Sequence, residues 1–419
     1  MRQSRWLILR GRRGWLAAGI VVLATLVSLA RLPWLNGPAP AYRVAVRLVL
    51  SGELDERAYD DAWFGARVLE ETGGAFSDIL SPTPPTLPLL VLPLGWLFGE
   101  GLPSLGWAAL NLLALYAAIW LVRAALRPEG DDLAYAVLVA VVLLSAPFRA
   151  NLHRGQIFVF VLLLHALVFW GALRRRDTPA GIALGLLLAA KINGLPLWIL
   201  LLALRRWRLL ASAAITVAVV VVLTIPLLGV DIWRVYLTKT IPAYSTSPIA
   251  AVPAYQTLGG FFQHFFRYDA TWNQAPLLDV PWLARLGTLA ASVALVGLTL
   301  LRRSQLPASH LLAAGVVLSV VTSPLGEQHH YLMLVVPFAV AVAALPRLAL
   351  PQRALLVASA AMVAVPLPYM SERWWAGAFA VLVYPRLYGA LLLWGVLLLP
   401  DLFAARQPWR RREQSSALA

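Results

Sequence analysis

The chain has 419 residues, of which 60% are hydrophobic and only 13% are charged, and its formal net charge is +15. Repeated apolar runs of about 20 residues exclude a soluble globular protein. Arginine supplies almost all of the positive charge, in short clusters beside the apolar runs. This arrangement is typical of membrane topology signals and excludes nucleic-acid binding by a basic face of a soluble domain. The absence of cysteine excludes disulfides and thiol chemistry.

The apolar runs predict an all-α polytopic integral membrane protein with about twelve transmembrane helices. The basic segment 1–13 is predicted to be cytoplasmic and uncleaved, because no signal-peptide cleavage site follows it. A single transmembrane domain then covers 14–401, and a basic cytoplasmic tail covers 402–419. The predicted spans lie near 14–31, 84–99, 104–126, 132–148, 155–173, 179–204, 208–229, 281–301, 308–323, 330–346, 353–369 and 385–401.

Arginine clusters test this topology, because positively charged loops favour the cytoplasmic side. The clusters near residues 205, 302, 347 and 410 fit twelve spans with both chain ends inside. The cluster 174–176 would lie outside under the same count. A break at Asn193-Gly194-Leu195-Pro196 allows the run 179–204 to form two half-helices, so the topology of residues 104–204 stays open.

Two long connections are predicted on the external side. The first covers about 32–82, and its segment 54–71 has apolar residues near helical spacing, which predicts interfacial helices on the membrane surface. The second covers 230–280 and is rich in aromatic residues, which favour the headgroup layer.

Acidic and imidazole groups stand at the ends of the apolar runs. Asp60 and Asp61 begin the predicted interfacial helix, where a carboxylate can accept a proton from a hydroxyl, although an acidic pair also suits a helix N-terminus. Glu327, His329 and His330 precede or begin a span, where imidazoles can donate to a phosphate or simply lie at the interface. These three residues could also hold a metal. Because no His-Glu-x-x-His spacing exists and adjacent histidines point to different helix faces, we predict no metal.

Lys191 is the most costly charge in the chain, because it lies inside an otherwise apolar segment. An intramembrane charge costs about 3 kcal/mol on insertion scales, so we expect it to face a cavity or an anionic partner. Arg154 and Gln156 begin the fifth span, where an amide can bind hydroxyl groups. Gln256 precedes two glycines and could equally be part of a plain loop.

Six motifs follow one another along the chain. They are an acidic residue on the interfacial helix, Pro84-Pro85-Thr86-Leu87-Pro88, Gly155-Gln156, Gly181-Ile182-Ala183-Leu184-Gly185 before Lys191 and Pro196, Tyr255-Gln256-Thr257-Leu258, and Ser323-Pro324 before His329-His330. In this order they resemble the polytopic glycosyltransferases of the GT-C superfamily, and most closely family 87, over roughly residues 50–400. Characterised members of that family include mycobacterial α-1,2-mannosyltransferases acting on phosphatidylinositol mannosides.

The resemblance implies a GT-C-like helix bundle that takes a sugar, commonly mannose, from a polyprenyl phosphate sugar. The sugar would pass with inversion to a lipid or glycan acceptor, and no cofactor is implied. An external Asp would be the general base, and Asp60 matches that position better than Asp61. The donor phosphate and sugar would be bound by His329, His330, Lys191, Glu327, Gln156, Arg154 and Gln256.

The expected partners are the donor, the acceptor and membrane lipids, with no nucleic acid. The chain uses Arg rather than Lys and is rich in Ala and Leu, which is typical of a GC-rich bacterial genome. Together with the resemblance, this predicts a bacterial cytoplasmic (inner) membrane protein whose active site faces outward. A second interpretation is a transporter or flippase for a lipid-linked or polar solute, which would need a polar pathway reaching both faces. A structural subunit without a site would leave the buried Lys191 unexplained.

Overall fold

A computed structural model describes residues 2–30, 37–75, 77–98, 104–126, 132–192, 194–245 and 247–398. The predicted tail 402–419 and part of the first long connection lie outside these residues. Within them the chain is helical and forms no β-strand, which confirms the predicted all-α class.

The helices follow one another with short links. The first ten are α1 (Arg2–Leu29), α2 (Pro40–Ser51), α3 (Asp61–Glu71), α4 (Leu87–Phe98), α5 (Ser104–Leu126), α6 (Asp132–Leu144), α7 (Ala146–His153), α8 (Phe158–Leu173), α9 (Asp177–Lys191) and α10 (Leu195–Ala203). The others are α11 (Trp207–Leu228), α12 (Asp231–Val235), α13 (Ile241–Ser245), α14 (Leu258–Phe266), α15 (Pro281–Leu301), α16 (Ala308–Val321), α17 (Val335–Ala344), α18 (Leu350–Ala364) and α19 (Pro385–Leu398). A 3-10 helix (Gln328–Leu334) leads directly into α17.

Burial separates an inner set of helices from an outer one. A helix that is apolar on all sides is stable only when it is surrounded. In α16 every residue from Leu311 to Val321 is buried. In contrast, only 17% of the most apolar stretch of α11 and 11% of that of α15 is buried. Such exposed apolar helices are suited to contact with lipid hydrocarbon.

Four of the described helices are long and apolar enough to cross a membrane: Leu105–Leu126, Trp207–Leu228, Pro281–Leu301 and Gln328–Arg347. The number becomes five if α6 and α7, which meet at 47°, form one bent span. The total of about twelve therefore stays a prediction. The predicted span 84–99 corresponds to α4, whose 12 residues cover about 18 Å of a hydrocarbon core of about 30 Å.

The predicted run 179–204 is a helical hairpin rather than one span. α9 ends at Lys191, and Ile192 adopts the left-handed conformation with a φ of 44°. Gly194 then lies against the side chains of Leu184 and Leu187, so α10 folds back along α9. The chain direction thus reverses between α9 and α10.

This reversal explains the arginine cluster that did not fit the predicted topology. The Arg206 guanidinium forms an ion pair with Asp177 at the start of α9 and donates to the carbonyl of Ala172 at 3.0 Å. The clusters at 174–176 and 205–206 therefore lie at the same end of the bundle.

Two glycines of the motif before Lys191 have a packing role. Any side chain on Gly181 would overlap the backbone of Leu209, and one on Gly185 would overlap the backbone of Ala213. Small residues one turn apart let two helices approach closely in a membrane. They hold α9, and hence Lys191 at its end, against α11.

The two long connections pack against each other. Buried residues of α2 and α3 share a small apolar cluster with Leu228 and Ile232. The ring of Tyr59 lies 5.2 Å from that of Tyr236, measured between centroids. Both α2 and α3 bury one face, which is compatible with helices on a membrane surface, and that position stays a prediction.

Candidate active site

Polar side chains from separate segments meet at one end of the bundle, which we call the site face. They come from α2, the α3–α4 connection, the α7–α8 turn, the end of α9 and the segment before α17. At the centre, Lys191 Nζ donates to Thr83 Oγ1 at 3.2 Å. The same nitrogen lies 5.3 Å from the ring centroid of Tyr42 and 5.9 Å from that of Phe158. We call the polar groups around this amine the Lys191 cluster.

Lys191 reaches this place because it is the last residue of α9. A cation is favourable there, since the carbonyl end of a helix carries partial negative charge. No carboxylate of the described residues lies within 4.0 Å of its Nζ. A hydroxyl and two aromatic faces are its neighbours instead, and they leave the ammonium group able to bind an anion.

The α7–α8 turn contributes two of the predicted site residues. Arg154 forms an ion pair with Glu327, and Gln156 Oε1 accepts a hydrogen bond of 2.7 Å from the Tyr42 hydroxyl. Between them, Gly155 has a φ of 62° and its carbonyl accepts from the Ala39 amide at 2.9 Å. A side chain at this position would overlap the backbone of 37–39, so glycine lets the turn lie against the start of α2.

The histidine pair lies on the 3-10 helix and packs on Phe158. The ring centroids of His329 and His330 lie 4.8 and 3.9 Å from that of Phe158. The Glu327 amide donates to His330 Nδ1 at 3.1 Å, so Nε2 is the nitrogen that carries the proton in the neutral imidazole. His329 Nδ1 is buried, lies 3.9 Å from Glu327 Oε2, and has no hydrogen-bond partner among the described residues. The pair therefore retains donor capacity at the site face.

Asp78 is a member of the Lys191 cluster that the sequence interpretation missed. It is half-buried in the α3–α4 connection, and its Oδ1 accepts from the Ile79 amide at 2.9 Å. Burial raises the pKa of this carboxyl, while nearby Lys191 and Arg154 act to lower it. The available signal was a single carboxylate separated by Ile79, Leu80 and Ser81 from the proline-rich stretch 82–88.

Glu327 has an environment related to that of Asp78. Burial raises the pKa of Glu327, Arg154 and Lys191 oppose this change, and Asp78 adds to it. Two carboxylates and two cations thus influence one another inside a poorly solvated cleft. Perturbed carboxyl groups of this kind concentrate at functional sites.

Two tyrosines of the second long connection, Tyr244 and Tyr255, interact with charged groups of the cluster. Burial raises the pKa of Tyr255 to about 12, with a smaller contribution from Glu327. Tyr244 forms a side-chain hydrogen bond with Ser81. Burial raises the pKa of Tyr244, and Asp61 and Asp78 add to this change. Asp61 is therefore close enough to Tyr244 to interact with it electrostatically.

Asp60 has a defined structural contact. It is the N-cap of α3, and its Oδ1 accepts from the amides of Ala62 and Trp63 at 3.0 and 3.2 Å. Both Asp60 and Asp61 are exposed. The capping role coexists with the predicted role as a base, which remains a prediction for either residue.

Gln256 lies in a different polar group, which we call the Arg386 cluster. Its Nε2 donates to the carbonyls of Pro253 and Val383, both at 2.6 Å. Its Oε1 accepts from the Arg386 amide at 3.1 Å. The side chain is fully buried with these bonds made inside the protein, so the structure does not bring it to the Lys191 cluster.

The structure thus unites most of the predicted site residues. Six lie in or beside the Lys191 cluster: Lys191, Arg154, Gln156, Glu327, His329 and His330. Among the described residues, no group of three or more metal-ligating side chains has a suitable arrangement for a metal ion.

Comparison with known protein families identifies the family of this chain. The model of glycosyltransferase family 87 matches residues 83–324, which is more than half of the chain and includes Arg154, Gln156, Lys191 and Gln256. No curated protein and no solved structure matches it. The sequence resemblance to family 87 is therefore confirmed. The chain, with its apolar membrane helices and its polar cluster at one face, belongs to glycosyltransferase family 87, a family of membrane glycosyltransferases.

Proposed function

We propose that this glycosyltransferase moves a hexose, with mannose as the first candidate, from a polyprenyl phosphate sugar to a lipid or glycan acceptor. One observation carries the proposal: Lys191, without a carboxylate partner among the described residues, lies beside Phe158 and the histidine pair that packs on it. A phosphodiester is an anion of the right chemistry to bind between an ammonium group and imidazole N–H donors.

These donors would act on the leaving group. The acceptor hydroxyl oxygen forms a bond to the anomeric carbon while the bond from that carbon to the phosphate oxygen breaks, which inverts the configuration. Negative charge grows on the departing polyprenyl phosphate, where Lys191 and His330 stabilise it in a cleft of low dielectric. The hydroxyl proton passes to a carboxylate, for which Asp60 or Asp61 is our assignment.

A lipid-linked donor suits the surroundings of the site. An apolar cavity of about 530 Å³ lies between α6, α17 and α18, and Ser145, Pro147 and Tyr331 line it. Tyr331 directly follows the histidine pair on the 3-10 helix, so one backbone segment contributes both to the cavity and to the polar site. A hydrocarbon chain can occupy such a groove while its phosphate stays at the site face.

We further propose a bacterial inner-membrane location with the site face outward and about twelve spans. The hairpin of α9 and α10 supports this orientation, because two arginine clusters share the end of α9 and α10 that lies away from Lys191. Positive charge favours the cytoplasmic side, which leaves the Lys191 cluster on the external side.

The proposal is tested by transfer of radiolabelled mannose from polyprenyl phosphate mannose to lipids in membranes that contain the protein. We expect label in a new lipid with wild-type protein, and none with the double variant Asp60→Asn, Asp61→Asn. Asp231→Asn, an exposed carboxylate on α12, is the matched control and should transfer normally. Absence of transfer from this donor and from a panel of other polyprenyl phosphate sugars would refute the proposed function. Movement of unmodified label across the membrane would support the transport interpretation.

A further inference from the structure

Asp78 lies in the α3–α4 connection, between a segment that packs on α3 and a segment that contacts Lys191. At one side Gly65 of α3 packs against Ser77 and the Asp78 carbonyl. At the other side Thr83 binds Lys191 Nζ, and its carbonyl accepts from the Tyr59 hydroxyl at 2.7 Å. Because both sides of this connection are anchored, the carboxylate is held between α3 and the end of α9.

Asp78 is a half-buried carboxylate of the site whose acceptor capacity is not taken up by a cation among the described residues, whereas Asp60 and Asp61 are exposed. Glu327 is paired with Arg154, and Asp60 caps α3. Asp78 has no lysine or arginine nitrogen within 4.0 Å among the described residues, and its hydrogen bond is to the neighbouring Ile79 amide. A half-buried carboxylate with unused acceptor sites is expected to bind donors when a ligand enters.

The groups that Asp78 influences show which part of a ligand it would meet. It interacts electrostatically with Lys191, Glu327, Tyr42 and Tyr244, which come from four different segments. Lys191 is our proposed phosphate ligand, and a donor sugar is joined to its phosphate through a single oxygen. The sugar ring must therefore lie next to the phosphate-binding groups, close to the residues with which Asp78 interacts.

We propose that Asp78 accepts hydrogen bonds from hydroxyl groups of the donor sugar and so helps to select that sugar. This inference rests on the proposed function and adds a binding residue to it. Sugar hydroxyls are good donors, and hydrogen bonds to a charged acceptor are about twice as strong as neutral ones. Loss of such a bond from a poorly solvated site lowers kcat/KM by about 10- to 100-fold. The effect should fall mainly on the KM for the donor.

The test compares four deoxy analogues of the donor, each lacking one sugar hydroxyl, with the intact polyprenyl phosphate mannose. Wild type, Asp78→Asn, Asp78→Ala and the exposed control Asp231→Asn are assayed as folded, monodisperse protein. At one hydroxyl position at least, wild type and the control should lose about 30-fold in kcat/KM. Asp78→Ala should lose less than about 3-fold at that same position, because its partner for the hydroxyl is already absent. Asp78→Asn keeps a neutral acceptor oxygen and should lose more than Asp78→Ala but less than wild type.

The outcomes separate this inference from the proposed function. Equal losses in wild type and in the Asp78 variants at every position would overturn the inference, since a purely structural role affects all analogues alike. Asp78→Ala with wild-type kinetics would overturn it as well, because that variant has no side-chain acceptor. No transfer by wild-type protein from any polyprenyl phosphate sugar would refute the proposed function, and the inference with it.

Discussion

Two polar clusters lie in this membrane protein, and they differ in how completely their hydrogen bonds are made. In the Arg386 cluster the guanidinium is 1% exposed and binds Tyr369, the Val363 carbonyl and Gln328 Oε1, the last at 2.8 Å. In the Lys191 cluster the amine donates to a single hydroxyl and faces two aromatic rings. A fully bonded buried network makes a structure rigid, whereas unpaired groups are suited to a ligand.

Gln328 connects the two clusters. Its Oε1 accepts from Arg386, its Nε2 donates to the Ala146 carbonyl at 2.8 Å, and it lies between Glu327 and His329 in the chain. The Arg386 cluster therefore holds the backbone that carries the histidine pair. We therefore expect the Arg386 cluster to stabilise and position this segment, and we propose the Lys191 cluster for substrate binding.

The largest expected effect is on activity, from removing the Lys191 charge. Lys191→Met should lower kcat/KM for sugar transfer by about 10²- to 10³-fold, because one charged donor to the leaving phosphate is lost. The protein should remain folded, since methionine suits the apolar surroundings. Lys239→Met removes the only other lysine, which is exposed, and should leave transfer unchanged. Equal activity of the two variants would contradict the assignment.

The next effect is on stability, from removing the Arg386 side chain. Arg386→Met leaves the Val363 carbonyl and Gln328 Oε1 without their donor, so the free energy of unfolding should fall by about 3 kcal/mol. Chemical unfolding in detergent measures the loss, and Arg386→Lys should recover part of it. Arg373→Met, at an exposed arginine, serves as the control. A stability of Arg386→Met equal to that of the control would show that the network is not a structural anchor.

A smaller effect should appear in the pH dependence of transfer. Burial raises the pKa of Asp78 above its ordinary value, so its acceptor form is lost as the pH falls through this raised pKa. kcat/KM for the donor should fall up to about tenfold per pH unit below it, at higher pH than an exposed aspartate would require.

Two variants show which of two carboxyls causes this fall of kcat/KM at low pH, the acid limb of the pH profile. Lys191 and Arg154 are the charged groups that lower the pKa of Asp78, and both burial and Asp78 raise the pKa of Glu327. The limb should move in Asp78→Asn and persist in Glu327→Gln. The reverse result would assign it to Glu327.

The smallest effect concerns the cap of α3. Asp60→Ala should lower the free energy of unfolding by about 1 kcal/mol, because the amides of Ala62 and Trp63 lose their acceptor. Asp60→Asn should keep the cap and its stability. Its transfer activity then reports on the base alone. Loss of stability in both variants alike would show that the charge, rather than the cap, is what matters.

Parts of this organisation could be predicted from the sequence, and the reasons differ by residue. Lys191 was identified because a charge inside an apolar segment is costly, and the histidine pair because it stands beside an acidic residue at the beginning of a predicted span. The two half-helices were foreseen from a Gly-Pro break, but their reversal depends on contacts between Gly194 and Leu184 that no local pattern encodes.

Other parts required the three-dimensional structure. Asp78 lies in a loop without periodicity, and its importance comes from Lys191, which is distant in sequence. Gln256 has a side chain that can bind sugar hydroxyls, yet tertiary packing buries it against Val383 and Arg386. A sequence motif identifies which polar residues are unusual but not whether their hydrogen bonds are already made.

The most direct test of whether the Lys191 cluster binds the donor is a measurement of the Kd of polyprenyl phosphate mannose in lipid nanodiscs. It compares wild-type protein with Lys191→Met and Arg386→Lys. Binding separates the phosphate site from the chemistry that follows and from the identity of the acceptor. We predict that Lys191→Met weakens binding at least about tenfold, as expected for loss of a charged hydrogen bond, while folded Arg386→Lys binds like wild type. Wild-type affinity in Lys191→Met would contradict the claim that the Lys191 cluster is the donor site.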